Sequence, residues 1–204
     1  MVGRGSVDIH VIVPTLRDSI AVSTYPQIEG KMKSIIFFTF ATILSIALSA
    51  QTSIPAGASF DLGFSPGGTS LAVVEKTIAS AKSEILVACY EFTSRDIAEA
   101  LEAAAHRGVK VRVVADWKAA QAKYSQIRIL VSAGIPVRLD HHYEIHHHKF
   151  IVVDRISVET GSFNYSTAAV EHNAENALVL WNVPPIAEAY AKEWARLWDE
   201  STNL

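Results

Sequence analysis

The chain has a single cysteine, Cys89, among 204 residues, so no intrachain disulfide forms and the fold must rest on its apolar core. Cys89 lies within the apolar run Ile85 to Tyr90, which predicts a buried structural thiol. A long membrane span is also missing: the most apolar stretch, Ile35 to Leu48, has 14 residues where a spanning helix needs about 20. Basic residues are not in surplus. From Gln51 onward, 14 Lys and Arg stand against 18 Asp and Glu, a net charge of -4, which is not the footprint of a tight nucleic-acid binder. No segment repeats another, so a site formed by one motif occurs once per chain.

The amino-terminal quarter reads as an address. Lys31, Met32 and Lys33 precede the apolar stretch, and Ser49-Ala50-Gln51 follows it, the charged start, apolar middle and small-residue exit of a secretory signal peptide. We expect a signal over 32–50 cleaved after Ser49 or Ala50, and an upstream leader over 1–31 if translation begins before Met32. An uncleaved anchor or a buried helix is the alternative. The remaining 51–204 is enough for one domain with its own core. It is expected to be periplasmic or secreted, with no stable membrane insertion after cleavage. Within it the charge is uneven: seven basic residues (Arg107, Lys110, Arg112, Lys118, Lys123, Arg128, Arg138) and one acid, Asp116, fall between Arg107 and Leu139. This is either a patch that steers a polyanion or the solvated face of a helix and loop.

The densest signal lies between His147 and Asn164. His147, Lys149, Asp154, Gly161, Ser162 and Asn164 form the pattern H-x-K-x4-D-x6-G-S-x-N. Six specified positions arise by chance about once in a million chains of this size, so the pattern calls for a chemical explanation. Lys149 to Val153 and Ile156 to Thr160 are apolar, β-branched runs separated by Asp154-Arg155, which predicts a hairpin. A turn centred on Asp154-Arg155 pairs Val153 with Ile156, Lys149 with Thr160 and His147 with Ser162. Alternation then puts His147 and Lys149 on one face, and Ser162 and Asn164 on one face. The result is an imidazole, an ammonium, a hydroxyl and a carboxamide together, a phosphate-handling set that needs no metal. Asp154 has the other parity and sits at the turn, in a structural or supporting role.

Strands and helices alternate through the rest. Strands are expected over 59–64, 84–90, 109–115, 136–139 and 174–181. Helices are expected over 70–81, from the Thr93 or Ser94 cap to Gly108, over 118–133, and from Pro184 with Ile186, Tyr190, Trp194 and Leu197 inward. That order predicts an α/β fold with a mixed β-sheet and helices on both faces.

The motif from His147 to Asn164 resembles the signature of the phospholipase D superfamily. The continuation through Glu159-Thr160-Gly161-Ser162-Phe163-Asn164-Tyr165 and Asn173-Ala174-Glu175-Asn176-Ala177 to Trp181-Asn182 is similar to its small secreted bacterial members, the EDTA-resistant endonucleases. This resemblance implies a phosphodiesterase without cofactor or metal. His147 would be the nucleophile, giving a phosphohistidine, and Lys149, Ser162 and Asn164 would hold the phosphate oxygens as charge grows on them. A second imidazole is then required as general acid. With one motif per chain, the family solution is a homodimer whose two His147 face each other. Glu175 matches the carboxylate that orients the imidazole, and so joins His147, Lys149 and Asp154 in the catalytic set, with Gly161 structural.

The expected substrate is DNA, with RNA as a further nucleic-acid partner. A phospholipid headgroup is the alternative, because the motif reads a phosphodiester and not its substituents. Five of eight histidines fall in His141 to His148, so a periplasmic metal-binding protein is the alternative of another class. In that tract His146 and His148 are expected to point away from His147 and to be partly exposed. His172 is expected as a solvated loop residue. Trp117, Tyr143 and Phe163 are expected either to pack or to stack on a base.

Overall fold

The computed structural model describes residues 53–204, and the expected leader and signal lie outside them. In chain order the elements are β1 (Ser59–Ser65), α1 (Thr69–Ser80), β2 (Glu84–Cys89), α2 (Arg95–His106), β3 (Lys110–Asp116), α3 (Trp117–Ala120) and α4 (Ile127–Ser132). There follow β4 (Val137–Asp140), β5 (Lys149–Val153), β6 (Ser157–Gly161), α5 (Thr167–Glu171), β7 (Glu175–Trp181), α6 (Pro184–Glu200) and β8 (Thr202–Asn203). The strands form one sheet in the order β1-β7-β6-β5-β2-β3-β4-β8. β2, β3 and β4 run parallel and the other pairings are antiparallel, which makes the sheet mixed, as the element order predicted.

Each face of the sheet is covered. Val87, Cys89, Val113 and Ile151 pack against Val74 and Ile78 of α1, Ile97 and Leu101 of α2, and Ile127 and Leu130 of α4. Leu86, Ala88, Val114, Phe150, Val152 and Val158 meet Ala187, Ala191, Trp194 and Leu197 of α6 on the other face. Continuous apolar strands such as β2 are buried on both sides, which is why their sequence does not alternate. Cys89 is fully buried there, and burial pushes its thiol far above the ordinary range. Ser94 caps α2 by accepting from the Ile97 N–H.

Two expectations are corrected, and two short elements were not foreseen. The helix expected over 118–133 is two short helices, α3 capped by Asp116 and α4, because the chain between them is tied back by the Gln126 N–H on the Phe92 carbonyl. α5 and β8 carry too few residues for a periodic pattern. The hairpin register also differs by one residue: Val153 pairs with Ser157 and Phe150 with Thr160, so three residues, Asp154, Arg155 and Ile156, make the turn. Asp154 and Arg155 both take positive φ, which turn chemistry alone disfavours for arginine. The loop is shaped from outside, as the Asp154 carboxylate accepts from the N–H groups of Lys82, Ser83 and Glu84 and from the Ser83 hydroxyl.

Candidate active site

Lys149 opens β5 beside the carboxyl end of β2, since Cys89 is its cross-strand partner. Its side chain is 8% exposed as a residue, its Nζ donates to the His147 carbonyl at 2.9 Å, and it lies 5.4 Å from the Tyr90 ring centre. The His147 ring is exposed and sits 4.9 Å from the same Tyr90 ring. Burial pulls the Lys149 ammonium below the usual lysine range, and the carboxylates of Glu175 and Glu91 oppose that pull. A cation, an imidazole and an aromatic wall therefore meet where β2 ends and β5 begins.

The second half of the motif arrives from β6. Past Gly161 the chain leaves the regular ladder: the N–H groups of Ser162 and Phe163 both donate to the Asn176 carbonyl, at 3.1 and 3.2 Å. A Cβ at Gly161 would lie 2.2 Å from that oxygen, so only glycine fits. Ser162 donates to Glu175 at 2.6 Å and accepts from the Asn176 backbone at 3.1 Å. Asn173 holds the other Glu175 oxygen at 3.1 Å. Phe163 turns into the core, whereas Asn164 is half-buried and its Oδ1 has no partner in the protein.

The corrected register places Lys149 opposite Gly161 and not Thr160, and the irregular chain after Gly161 interrupts the alternation on which the expected pairing of His147 with Ser162 rested. Glu175 bonds Ser162 and Asn173 and acts on Lys149, and its hydrogen bonds do not go to His147. Asp154 lies at the far end of β5, five residues or about 16 Å from Lys149, where it ties the hairpin to the start of β2. The structure therefore does not bring it to the reacting groups.

The histidine tract divides. His146 is buried, not partly exposed as expected: its Nδ1 is 2.8 Å from Asp140 Oδ2 and its backbone N–H donates to Asp116 at 3.0 Å. Burial holds its imidazole below the ordinary value against the opposing pull of Asp140. His148 is half-exposed on the α6 side, 3.7 Å from Glu193, and His141 stacks on Trp117. Among the described residues, no group of three or more His, Cys, Asp or Glu is placed to hold a metal. His172 is exposed next to Glu171. A cleft of about 400 Å³ between α6 and the sheet is lined by His148, Phe150, Thr160 and Tyr190 as well as His147 and Lys149.

Much of the basic run is engaged internally. Arg107 donates to carbonyls ending α1, Arg112 pairs with Glu84 and lies over Trp194, Arg138 lies over Trp198, and Lys118 pairs with Glu144. That pattern favours a solvated, self-paired face over a polyanion track. Of the aromatic residues, Phe163 packs in the core and Tyr143 bonds Arg196 and Glu200. Tyr90 and Glu91 are the site residues that motif reading missed; their signal was position, directly after a buried parallel strand, where α/β sheets place their ligands.

Comparison with known proteins follows the same line. A family described as cardiolipin synthase, PLD-like domain, matches residues 74–198. The mitochondrial cardiolipin hydrolase of Mus musculus is 30% identical over 169 residues, 82% of this chain and 76% of that protein. Among solved structures, a phospholipase D family member, Nuc from Salmonella typhimurium, is 40% identical with a TM-score of 0.70, covering 72% of this chain and 98% of that one. NucT from Helicobacter pylori is 26% identical with a TM-score of 0.66, covering 72% and 99%.

Proposed function

The chain belongs to the phospholipase D superfamily of phosphodiesterases, and from that premise we propose that it is a metal-independent endonuclease on DNA, with RNA as a further substrate. The observation that carries the nucleic-acid reading is the likeness to Nuc, which spans 98% of that chain at 40% identity. In this reading the His147 imidazole attacks phosphorus while Lys149, Ser162 and Asn164 hold the non-bridging oxygens, a stabilisation that grows with the developing charge. The P–O bond to the leaving alkoxide breaks, a general acid gives that alkoxide a proton, and a phosphohistidine remains. The same group, now a base, takes a proton from water as it attacks phosphorus and releases His147. Glu175, close enough to act on Lys149, balances the charge of the cluster.

The acid is the His147 of a second copy. Within one chain His146 is buried against Asp140 and His148 lies toward Glu193, so neither stands beside His147 to serve. A surface for the second copy lies nearby. Phe60, Leu62 and Phe64 on edge strand β1 are 66%, 48% and 56% exposed, and Phe64 pairs with Asn176, which bonds Ser162. Such an apolar row invites a partner. Secretion through a signal over 32–50 completes the proposal.

The cardiolipin hydrolase relatives favour a second reading, hydrolysis of a phospholipid headgroup. Both are tested by incubating the purified protein and its His147→Asn variant, in excess EDTA, with plasmid DNA, single-stranded DNA, and cardiolipin or phosphatidylcholine vesicles. Cleavage of DNA by wild type alone supports the endonuclease, and turnover of lipid with DNA intact replaces it with the lipid enzyme. Loss of all activity in EDTA would refute the metal-free mechanism.

A further inference from the structure

Glu159 lies in β6, fully buried, with Ile151 and Val179 as cross-strand neighbours. Among the described residues, no cation acts on its carboxyl. The Tyr165 hydroxyl donates to its Oε2 at 2.7 Å, and its Oε1 has no partner. A carboxyl in such surroundings costs stability, and a leucine would pack there without that cost.

What the pair encloses supplies a reason for keeping it. Glu159 precedes Gly161 by two residues and Tyr165 follows Asn164 directly, so the hydrogen bond spans the irregular segment that carries Ser162 and Asn164. That segment has left the ladder, with two N–H groups sharing the Asn176 carbonyl. Its far end is pinned at Tyr165, whose carbonyl accepts from the N–H groups of Thr93 and Ser94, each at 2.9 Å, and whose ring is fully buried against Phe92. Pinning the backbone at one end and bonding the phenol back to β6 leaves the intervening residues little freedom to move apart.

We propose that the Glu159–Tyr165 hydrogen bond is a clamp across the base of this segment, and that both are positioning residues that set Ser162 and Asn164 for the phosphodiester. The proposal rests on the phosphodiesterase reading of the site. Burial pushes the Glu159 carboxyl up to about 8, so near neutral pH the clamp places no negative charge beneath a segment that must receive an anion. Of the titratable groups around the pair, Cys89 of β2 acts on Tyr165, while β5 and β7 present Ile151 and Val179.

The test uses the full chain and two substrates, bis(para-nitrophenyl) phosphate, which reports phosphodiester chemistry of any origin, and plasmid DNA. Tyr165→Phe and Glu159→Leu should each lower kcat about tenfold, the loss expected of one hydrogen bond, with KM within about twofold. Glu159→Gln, which keeps an acceptor for the phenol, should stay within about twofold of wild type. Adding Tyr165→Phe to Glu159→Leu should cost little more, as a shared interaction requires. Circular dichroism normalises each rate to folded protein. Folded Tyr165→Phe or Glu159→Leu with wild-type kcat would overturn the clamp, as would a Glu159→Gln that falls as far as Glu159→Leu. Wild type that turns over the reporter but not DNA would reject the endonuclease alone, and wild type inert on both would overturn the clamp together with the phosphodiesterase reading.

Discussion

Glu159→Gln should stabilise this protein by an amount that grows with pH. In the unfolded chain the carboxyl titrates near its ordinary 4.5, and in the folded protein burial raises it to about 8. Below pH 4.5 both states hold the proton and the group imposes no penalty. Between 4.5 and about 8 the unfolded chain releases the proton while the folded protein keeps it, so wild type loses stability as pH rises. Above 8 the loss is complete. At about 1.4 kcal/mol per pH unit over that gap, the loss totals about 5 kcal/mol, with about 3 kcal/mol reached by pH 7. Glutamine does not titrate, and the cost of its amide, whose two N–H donors lack a partner, is a constant offset. The difference between variant and wild type therefore isolates Glu159 from every other ionisable group. Expressed as melting temperature for a domain of this size, the difference should widen by about 10 to 20 °C between pH 4 and pH 9. Paired thermal melts or urea titrations at equal protein concentration measure it. A difference that stays flat across that range would show that Glu159 is ionised and compensated in the folded state, and the reasoning would fail.

Asp154→Ala removes the acceptor of four hydrogen bonds, so it should cost about 2 to 4 kcal/mol in denaturant titrations while kcat per folded molecule stays near wild type. A large loss of kcat at full stability would instead make Asp154 a participant. Although burial raises the Asp154 carboxyl, bonds from Ser83, Glu84 and Lys82 outweigh it and hold it low, so its contribution is present at neutral pH and fades as acid protonates it. Lys149 must be charged to hold phosphate, and burial lowers it, so kcat/KM should fall on the alkaline side before the ordinary lysine value of 10.5 is reached; a profile flat to that point would contradict the role. Asp140→Asn breaks the buried pair with His146 next to His147 and should lower both the melting point and kcat, read by calorimetry and by reporter hydrolysis. Leu62→Glu should yield a folded monomer by sedimentation with little activity, and a persistent dimer would remove the β1 face as the contact.

The fold was legible wherever one element's own residues decide its state. The unbroken apolar run of β2 and the spacing of Ile97 and Leu101 in α2 each reported a burial pattern, and the sheet and helical layers follow from their order. Legibility failed where a distant partner decides. Nothing near Tyr124 announces that the Gln126 N–H will bond Phe92, so one helix was expected where two form. The hairpin is the same case: a two-residue turn is the local preference, and a third residue enters because Asp154 is bound by the chain at Lys82 to Glu84, about seventy positions away.

The site divides along the same line, because its candidate residues are read by type and order and not from the hairpin register. The motif's reacting side chains are read by type and order, and these do not depend on the turn. A one-residue slip would normally send every second side chain to the wrong face. Here the chain departs from the ladder at Gly161, where two N–H groups share one carbonyl, so the regular alternation does not run on through Ser162 and Asn164. Gly161 is the residue that allows it, since a Cβ there would strike the Asn176 carbonyl. The spacing from Lys149 to Asn164 thus spans two departures from a regular hairpin, the three-residue turn and the irregular chain after Gly161. Removing one residue from the Asp154–Ile156 turn shifts β6 by one position against β5 and should abolish activity while leaving the two strands paired, with wild-type activity and an intact sheet by circular dichroism as the result that would refute a dependence of the site on this register.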